Sequence, residues 1–519
     1  MNGIFLDNNI KSMFEMSSNG ITRKLGLAIF CVTCAFIYLL LFSTTLSPLY
    51  SVEACDSSMF KLMGQVIIRG KLPYVDMFEH KGPMLYCLQA LGQWLIPGRN
   101  GLFVLAIAAL SISIVCWYKS ARFFTTPIKS IIVICLTLFT YYLYTDSGNL
   151  AEDWNIPFIS LSYYLILMLL FDKTGNFLIH GSIVGLCLAC SFFIRPNDAV
   201  ALIGAPIFGI VLWLLNERKY QTIAKWVGGI IIGFSAITSV FIIWFAANNA
   251  LWDFWYGVIG FNAKYTTGIS GLITGCFRFD KLGYIPFLVA LFILCRQHKE
   301  GRLMYIQIPT IIAAYILLGG NVYQHYWIVW IPILFFSYWL LAVAQSNKAL
   351  TIMAICLFVS LPMFSNRDWV KNRIMIYNQI QRDVHYVDPA EVYSKVLFDS
   401  IPQEDQDSIW SYNLTWKTKD VSKPSNAFNV LLYNEIIPCN RVPLIFMAEK
   451  DSALLDYMDI TKEAPKYILF SQQHTVPQSY ALCDSMYIES NYNVKKICNE
   501  LHIILYQRKE DHPNLADGM

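Results

Sequence analysis

Apolar runs long enough to cross a bilayer recur through the first 364 residues of this 519-residue chain. They lie near 25–46, 101–118, 130–145, 156–171, 177–194, 199–215, 226–247, 284–295, 303–319, 327–344 and 349–364. At roughly 20 residues per crossing that makes about eleven spans, the one near 284–295 being the weakest. Only 14% of residues are charged, against roughly 25% in soluble chains. A net charge of +3 is too near neutral for a nucleic-acid partner. Arg23 and Lys24 precede the first run and no small-x-small cleavage site follows it, so it reads as a retained signal anchor.

Lys and Arg set the orientation. With the N-terminus cytoplasmic, every cytoplasmic loop holds at least one, including Lys119, Arg122, Lys173, Arg218, Arg302 and Lys348. The opposite loops at 146–154 and 320–326 hold none. The long loops at 47–100 and 248–283 are then extracytoplasmic, as is everything after Phe364. The segment Pro83–Pro97 reads as an interfacial helix. Trp252, Trp255, Tyr256 and Tyr265 suit an interfacial aromatic belt or a sugar- or lipid-binding surface.

From Ser365 the composition turns polar. Apolar runs shorten to strand length at Ser408–Tyr412, Val442–Met447, Tyr467–Phe470 and Leu501–Tyr506, with helix-like segments between. The expectation is a membrane unit over 1–364 and an extracytoplasmic α/β domain over 365–519. Most of the 14 cysteines lie singly in apolar runs. The CxxC pairs Cys31/Cys34 and Cys187/Cys190 do too, so they read as small buried side chains and not as a zinc site. Cys439, Cys483 and Cys498 allow one disulfide, with the pairing open.

Charge beside a membrane span points to function. The first outer loop holds Asp56, Asp76, Glu79, His80 and Lys81. Asp56 opens an amphipathic stretch with Met59, Phe60, Met63, Val66 and Ile67 at helical spacing, and reads both as a helix cap and as a carboxylate at the bundle mouth. Gly82-Pro83 marks a helix start. Lys81 just ahead of it is a phosphate-binding arrangement, or else an interfacial lysine reaching water.

The order of features is an acid shortly after the first span, an amphipathic helix, Gly70-Lys-Leu-Pro-Tyr74, then Asp76-x-x-Glu79-x-Lys81-x-Pro83-x-x-Tyr86. It resembles the first periplasmic loop of GT-C membrane glycosyltransferases, in the branch of protein O-mannosyltransferases and lipid A aminoarabinose transferases (ArnT-like). The resemblance implies a helical bundle of eleven or more spans and a polyprenyl-phosphate sugar donor. It also makes Asp56 the catalytic or metal-associated carboxylate. The family's Glu-Lys-Pro-Pro matches Glu79-His80-Lys81-Gly82-Pro83, with His80 inserted and Gly82 in place of the first proline.

Three further stretches fit the pattern. Glu152 and Asp153 stand ahead of a span in the second outer loop, where relatives carry an acid near the donor. Arg195, at the outer end of a helix, is a candidate for the donor phosphate. His325 and Tyr326 precede a span where relatives have similar motifs. Each has a plainer reading as a solvated loop, an interfacial anchor or a structural hydrogen-bonding group. A divalent cation at Asp56 is compatible with this pattern, although no ligand cluster is compact in sequence.

The expected activity is inverting sugar transfer from a polyprenyl-phosphate donor to a glycan, lipid or protein acceptor at the outer face of the bacterial inner membrane. The rival reading is a transporter or flippase of lipid-linked saccharides. A third is a non-catalytic assembly factor whose loop acids are dispensable. The charged residues gather in outer loops and the chain shows no repeat, which weighs against a transporter.

Overall fold

The computed structural model describes residues 20–50, 55–145, 147–171, 175–265, 301–317, 388–412, 427–443, 460–471 and 486–509, with a few isolated positions besides. Its helices are α1 (Gly20–Phe42), α2 (Cys55–Ile68), α3 (Pro83–Leu95), α4 (Arg99–Ala121), α5 (Pro127–Tyr144), α6 (Ala151–Leu170) and α7 (Phe177–Phe192). Next come α8 (Pro196–Asn216), which carries a π-turn at Val200–Gly204, and α9 (Tyr220–Ala247). Five of these (α1 from Lys24, α4, α6, α8 and α9) are long and apolar enough to cross a membrane. Shorter apolar helices include Pro127–Phe139 and α7. The chain is a multi-pass membrane protein. The spans expected near 284–295, 327–344 and 349–364, and the boundary at 364/365, lie outside the described residues.

Helix packing follows from small residues. Gly181 and Gly185 on α7 face α9, and Gly229 and Gly233 on α9 face α7. A Cβ built on any of the four would come within 2.0–2.2 Å of a carbonyl oxygen of the other helix. These are two small-xxx-small seams pressed together, the arrangement that lets membrane helices gain van der Waals contact where lipid offers no hydrophobic driving force. The side chains around them (Trp226, Val184, Ile230) are buried.

The loops assigned to one side by charge do meet at one end of the bundle. Thr45 N–H donates to Ser147 O at 3.1 Å, joining the loop after α1 to the loop between α5 and α6. Gly82 N–H donates to Ile194 O at 3.1 Å, joining the loop between α2 and α3 to the α7–α8 turn. Tyr74 packs on Phe245 near the end of α9, with ring centroids 5.7 Å apart. Trp252 and Trp255 stack at 5.0 Å on a largely exposed surface there, while Tyr256 turns inward to Asp451.

The C-terminal part forms a mixed four-stranded sheet of order β1-β2-β4-β3, built from β1 (Ile409–Tyr412), β2 (Tyr467–Ser471), β3 (Tyr492–Cys498) and β4 (Ile503–Arg508). β1 and β2 are parallel, and the other two pairs antiparallel. Three of the four expected strands are present. Of the fourth, Val442–Met447, residues 442–443 form no strand and 444–446 lie outside the described residues. β3 is an edge strand whose central Lys495 and Lys496 stay partly exposed, so it carries no apolar run to mark it in sequence. Cys439 and Cys498 are free thiols, and Cys483 lies outside the described residues.

This part docks on the loop end of the bundle. Phe78 N–H donates to Arg441 O at 2.7 Å, Asn429 Nδ2 donates to Glu53 O at 3.2 Å, and Lys264 Nζ lies 2.6 Å from Asp451. As a result α2 is buried on nearly every side instead of along one stripe: Lys61 and Leu62 are as buried as Met59 and Met63.

Candidate active site

The loop between α2 and α3 is built around Glu79. Its carboxylate is buried and accepts from Lys81 N–H at 2.8 Å and from the Tyr86 hydroxyl. His80 Nδ1 stands 3.0 Å from Glu79 Oε1, and His80 Nε2 lies 2.8 Å from Lys81 Nζ. The Lys81 carbonyl accepts from the hydroxyls of Tyr74 at 2.7 Å and Tyr86 at 3.0 Å. Tyr74 itself is fully buried with φ +69°, a left-handed conformation uncommon for a tyrosine. It is held by Phe78, Tyr86 and Phe245 around its ring. The segment is thus tied down by its own side chains and by α9.

Burial alone would push the Glu79 carboxyl up. At the low pH where Glu79 titrates, the charge of the then-protonated His80, that of Lys81 and the hydrogen bonds from His80 and Tyr86 outweigh it and hold it at about 2. Burial and the neighbouring Lys81 push His80 below its ordinary range against the pull of Glu79, so the ring is neutral at pH 7.

Gly82 explains one departure from the family pattern. A Cβ there would stand 1.9 Å from Phe193 O. Its N–H reaches Ile194 O, and Met84 N–H reaches Phe193 O at 3.0 Å. A proline could supply neither the close approach nor the donor. This backbone seam sets the α3 start against the end of α7.

Arg195 follows directly. Its Nη1 pairs with Glu152 and lies 3.4 Å from Asp198, whose other oxygen accepts from Asn155 at 3.0 Å. All of these carboxylates are buried. Arg195 also lies close enough to His80 to oppose its protonation. Lys81 and Arg195 therefore stand in one region, on two segments sewn together by the seam.

Asp56 sits inside the first turn of α2, half-buried, and not ahead of it as a cap. The next two residues tie that turn down: Ser57 Oγ accepts from Asn149 at 2.9 Å, and Ser58 bonds Asn429. Asp76 is exposed and accepts from Leu72 N–H, closing a turn. Asp153 accepts from Tyr141 at 2.6 Å and Leu150 N–H at 2.9 Å, which caps α6. Glu152, beside it, is the one that joins the site. His325 and Tyr326 lie outside the described residues. No group of three or more His, Cys, Asp or Glu that could hold a metal ion occurs among the described residues, at Asp56 or elsewhere.

Sequence reasoning missed two features. Glu53 and Lys61 form a buried pair, Lys61 Nζ lying 2.6 Å from Oε1, with Arg99 at 3.3 Å. Lys61 stands among apolar neighbours on α2 (Met59, Phe60, Leu62, Met63), and a cation in such a run signals a buried partner. Asn149, with φ +60°, bonds Gln89, Ser57 and Trp154 in one buried network. The Ser-Gly-Asn turn was its only trace in sequence.

No family model and no curated protein matches the sequence. Solved structures do match the fold. ArnT from Cupriavidus metallidurans bound to undecaprenyl phosphate superposes with a TM-score of 0.54 at 11% identity, covering 94% of this chain and 98% of ArnT. The apo state of the same protein gives 0.55 at 12%, with the same coverage. The described helices and the small sheet therefore belong to one architecture, and the chain has the fold of the ArnT-like GT-C membrane glycosyltransferases.

Proposed function

We propose that this chain is an inverting glycosyltransferase that moves a sugar from a polyprenyl-phosphate donor to a glycan, lipid or protein acceptor. The reaction takes place at the outer face of the bacterial inner membrane. The observation that carries the reading is the seam at 82–84 and 193–194, which sets Lys81 beside Arg195 at the loop end of a bundle with this fold. ArnT of that fold is a structure with undecaprenyl phosphate bound.

In the proposed reaction an acceptor hydroxyl attacks the anomeric carbon, and its proton passes to Asp56. The new C–O bond forms as the bond to the phosphate oxygen breaks, and polyprenyl phosphate leaves with the electron pair. Lys81 and Arg195 face the charge that builds there. Glu152 and Asp198 hold Arg195 in place beforehand, so little reorganisation is needed when charge develops. The donor's tail stays in the bilayer while its head reaches the loops.

The test is transfer from labelled polyprenyl-phosphate sugar in membranes. Asp56→Asn and Lys81→Ala should each lose most activity. Full activity in both variants would refute the assignment. Movement of a lipid-linked sugar across the bilayer without transfer would favour a flippase.

A further inference from the structure

We propose that His80 is a positioning residue for Lys81. As a neutral imidazole it accepts from the ammonium through Nε2 and aims it toward the donor phosphate, while Glu79 fixes its tautomer. This rests on the glycosyltransferase reading for the identity of the phosphate, but the geometry stands by itself.

A lysine ammonium is a donor only. With Nζ at 2.8 Å, Nε2 must carry the lone pair, which puts the ring proton on Nδ1. Nδ1 is the nitrogen that faces Glu79 Oε1 at 3.0 Å. Glu79 in turn is fixed by Tyr86 and by the Lys81 N–H. The ring packs on Phe261, centroids 5.5 Å apart, and the His80 carbonyl accepts from Asn262 at 2.8 Å. The imidazole is therefore held from its own loop and from the segment after α9. The charged groups facing it are Glu79 and Lys81 from the loop and Arg195 from the α7–α8 turn.

Orientation of a lysine on its flexible stem costs entropy, and a fixed acceptor bears that cost before substrate binds. A protonated ring could not accept, and it would repel Lys81. The arrangement therefore works only above the His80 pKa, which burial and Lys81 place below the ordinary histidine range.

The experiment compares wild type, His80→Gln and His80→Leu by donor KM and kcat across pH, with bound undecaprenyl phosphate measured by native mass spectrometry on the purified protein. His80→Leu should raise donor KM about tenfold, equal to about 1.4 kcal/mol, with a smaller change in kcat. His80→Gln keeps an acceptor and should recover most of that loss. The ratio of wild-type to His80→Gln donor affinity should fall as pH drops through the His80 pKa. That ratio cancels titration of the lipid phosphate itself, which a purely structural histidine would leave flat. A wild-type donor KM in His80→Leu, or a pH-independent ratio, would overturn the proposal. If wild type transfers no sugar, the enzyme reading fails. The lipid-binding arm still decides this proposal: weaker undecaprenyl phosphate binding in His80→Leu than in His80→Gln supports it, and equal binding overturns it.

Discussion

Replacing Gly82 with alanine is the smallest change that separates Lys81 from Arg195. The added Cβ would lie 1.9 Å from Phe193 O, 2.3 Å from Phe193 C and 2.8 Å from Phe193 Cα. Ordinary contact begins near 3.4 Å, so the two backbones must part by about 1.5 Å, and no flexible side-chain end is there to yield. The Gly82–Ile194 and Met84–Phe193 hydrogen bonds, now 3.1 and 3.0 Å, would stretch beyond bonding range. Two such bonds contribute about 1–3 kcal/mol together, so the unfolding temperature should drop by several degrees. The catalytic cost should be larger in relative terms, since a misplacement of about 1 Å can cost about a hundredfold in rate. Turnover with labelled polyprenyl-phosphate sugar, alongside thermal unfolding in detergent, measures both. Gly228→Ala is the control: it is helical with nothing within 4 Å of a built Cβ, so alanine there should be neutral or stabilising by up to about 1 kcal/mol. If Gly82→Ala transferred sugar at the wild-type rate, the seam would not be what sets the two cations together.

Other expectations follow from the buried charges and the helix seams. Lys61→Met leaves Glu53 buried beside Arg99 alone and should cost about 3–5 kcal/mol of stability, with Glu53→Gln in the same chain recovering part of it; chemical unfolding checks this. Arg195→Met strands Glu152 and Asp198 and should reduce both stability and turnover, whereas Arg195→Lys should keep more stability than activity, because a lysine cannot reproduce the planar fork. Glu79 is held at about 2, below its ordinary value. Its contribution to stability is therefore present above the ordinary carboxylate pKa and is lost as pH falls toward 2. His80, whose pKa is lowered, adds to the loss below the ordinary histidine pKa as the unfolded chain takes up the proton. Acid unfolding of Glu79→Gln should accordingly be less steep. Gly185→Val should prise α7 from α9 and lower expression of folded protein, seen as aggregation on gel filtration.

Much of the fold was legible in sequence because spanning helices leave a long, simple signature. The α7–α9 contact was not, since its glycines look incidental until both helices are set face to face. Asp76, Glu79 and Asp153 show the limit for the site. All three are acids in loops expected on one side of the membrane, and sequence gives them equal standing. The structure separates them by partner: Asp76 closes a turn, Asp153 caps a helix, and Glu79 holds His80 and Lys81. Which hydrogen a carboxylate receives depends on residues distant in the chain (Tyr141 for Asp153, Arg195 for Glu152), and spacing cannot reveal that. Glu53 passed unnoticed for the same reason: its partners Lys61, Arg99 and Asn429 come from three different elements.

The two departures from Glu-Lys-Pro-Pro have separate physical reasons in the same turn. Placing His80 between Glu79 and Lys81 lengthens the acid-to-lysine spacing by one residue and leaves Lys81 two residues ahead of Pro83, so position 82 still turns the chain directly into α3 against Phe193. Only a residue without a side chain fits at 1.9 Å, and only one with an N–H can bond Ile194. Gly82 meets both needs, and Pro83 still opens the helix at its first position. Restoring a proline should therefore fail: Gly82→Pro should lose activity as Gly82→Ala does. Deleting His80 as well should not rescue it, because the atoms that meet a Cβ at position 82 belong to Phe193 and not to position 80. If the double variant transferred more sugar than Gly82→Pro, the Phe193 contact would not be what keeps proline out of position 82.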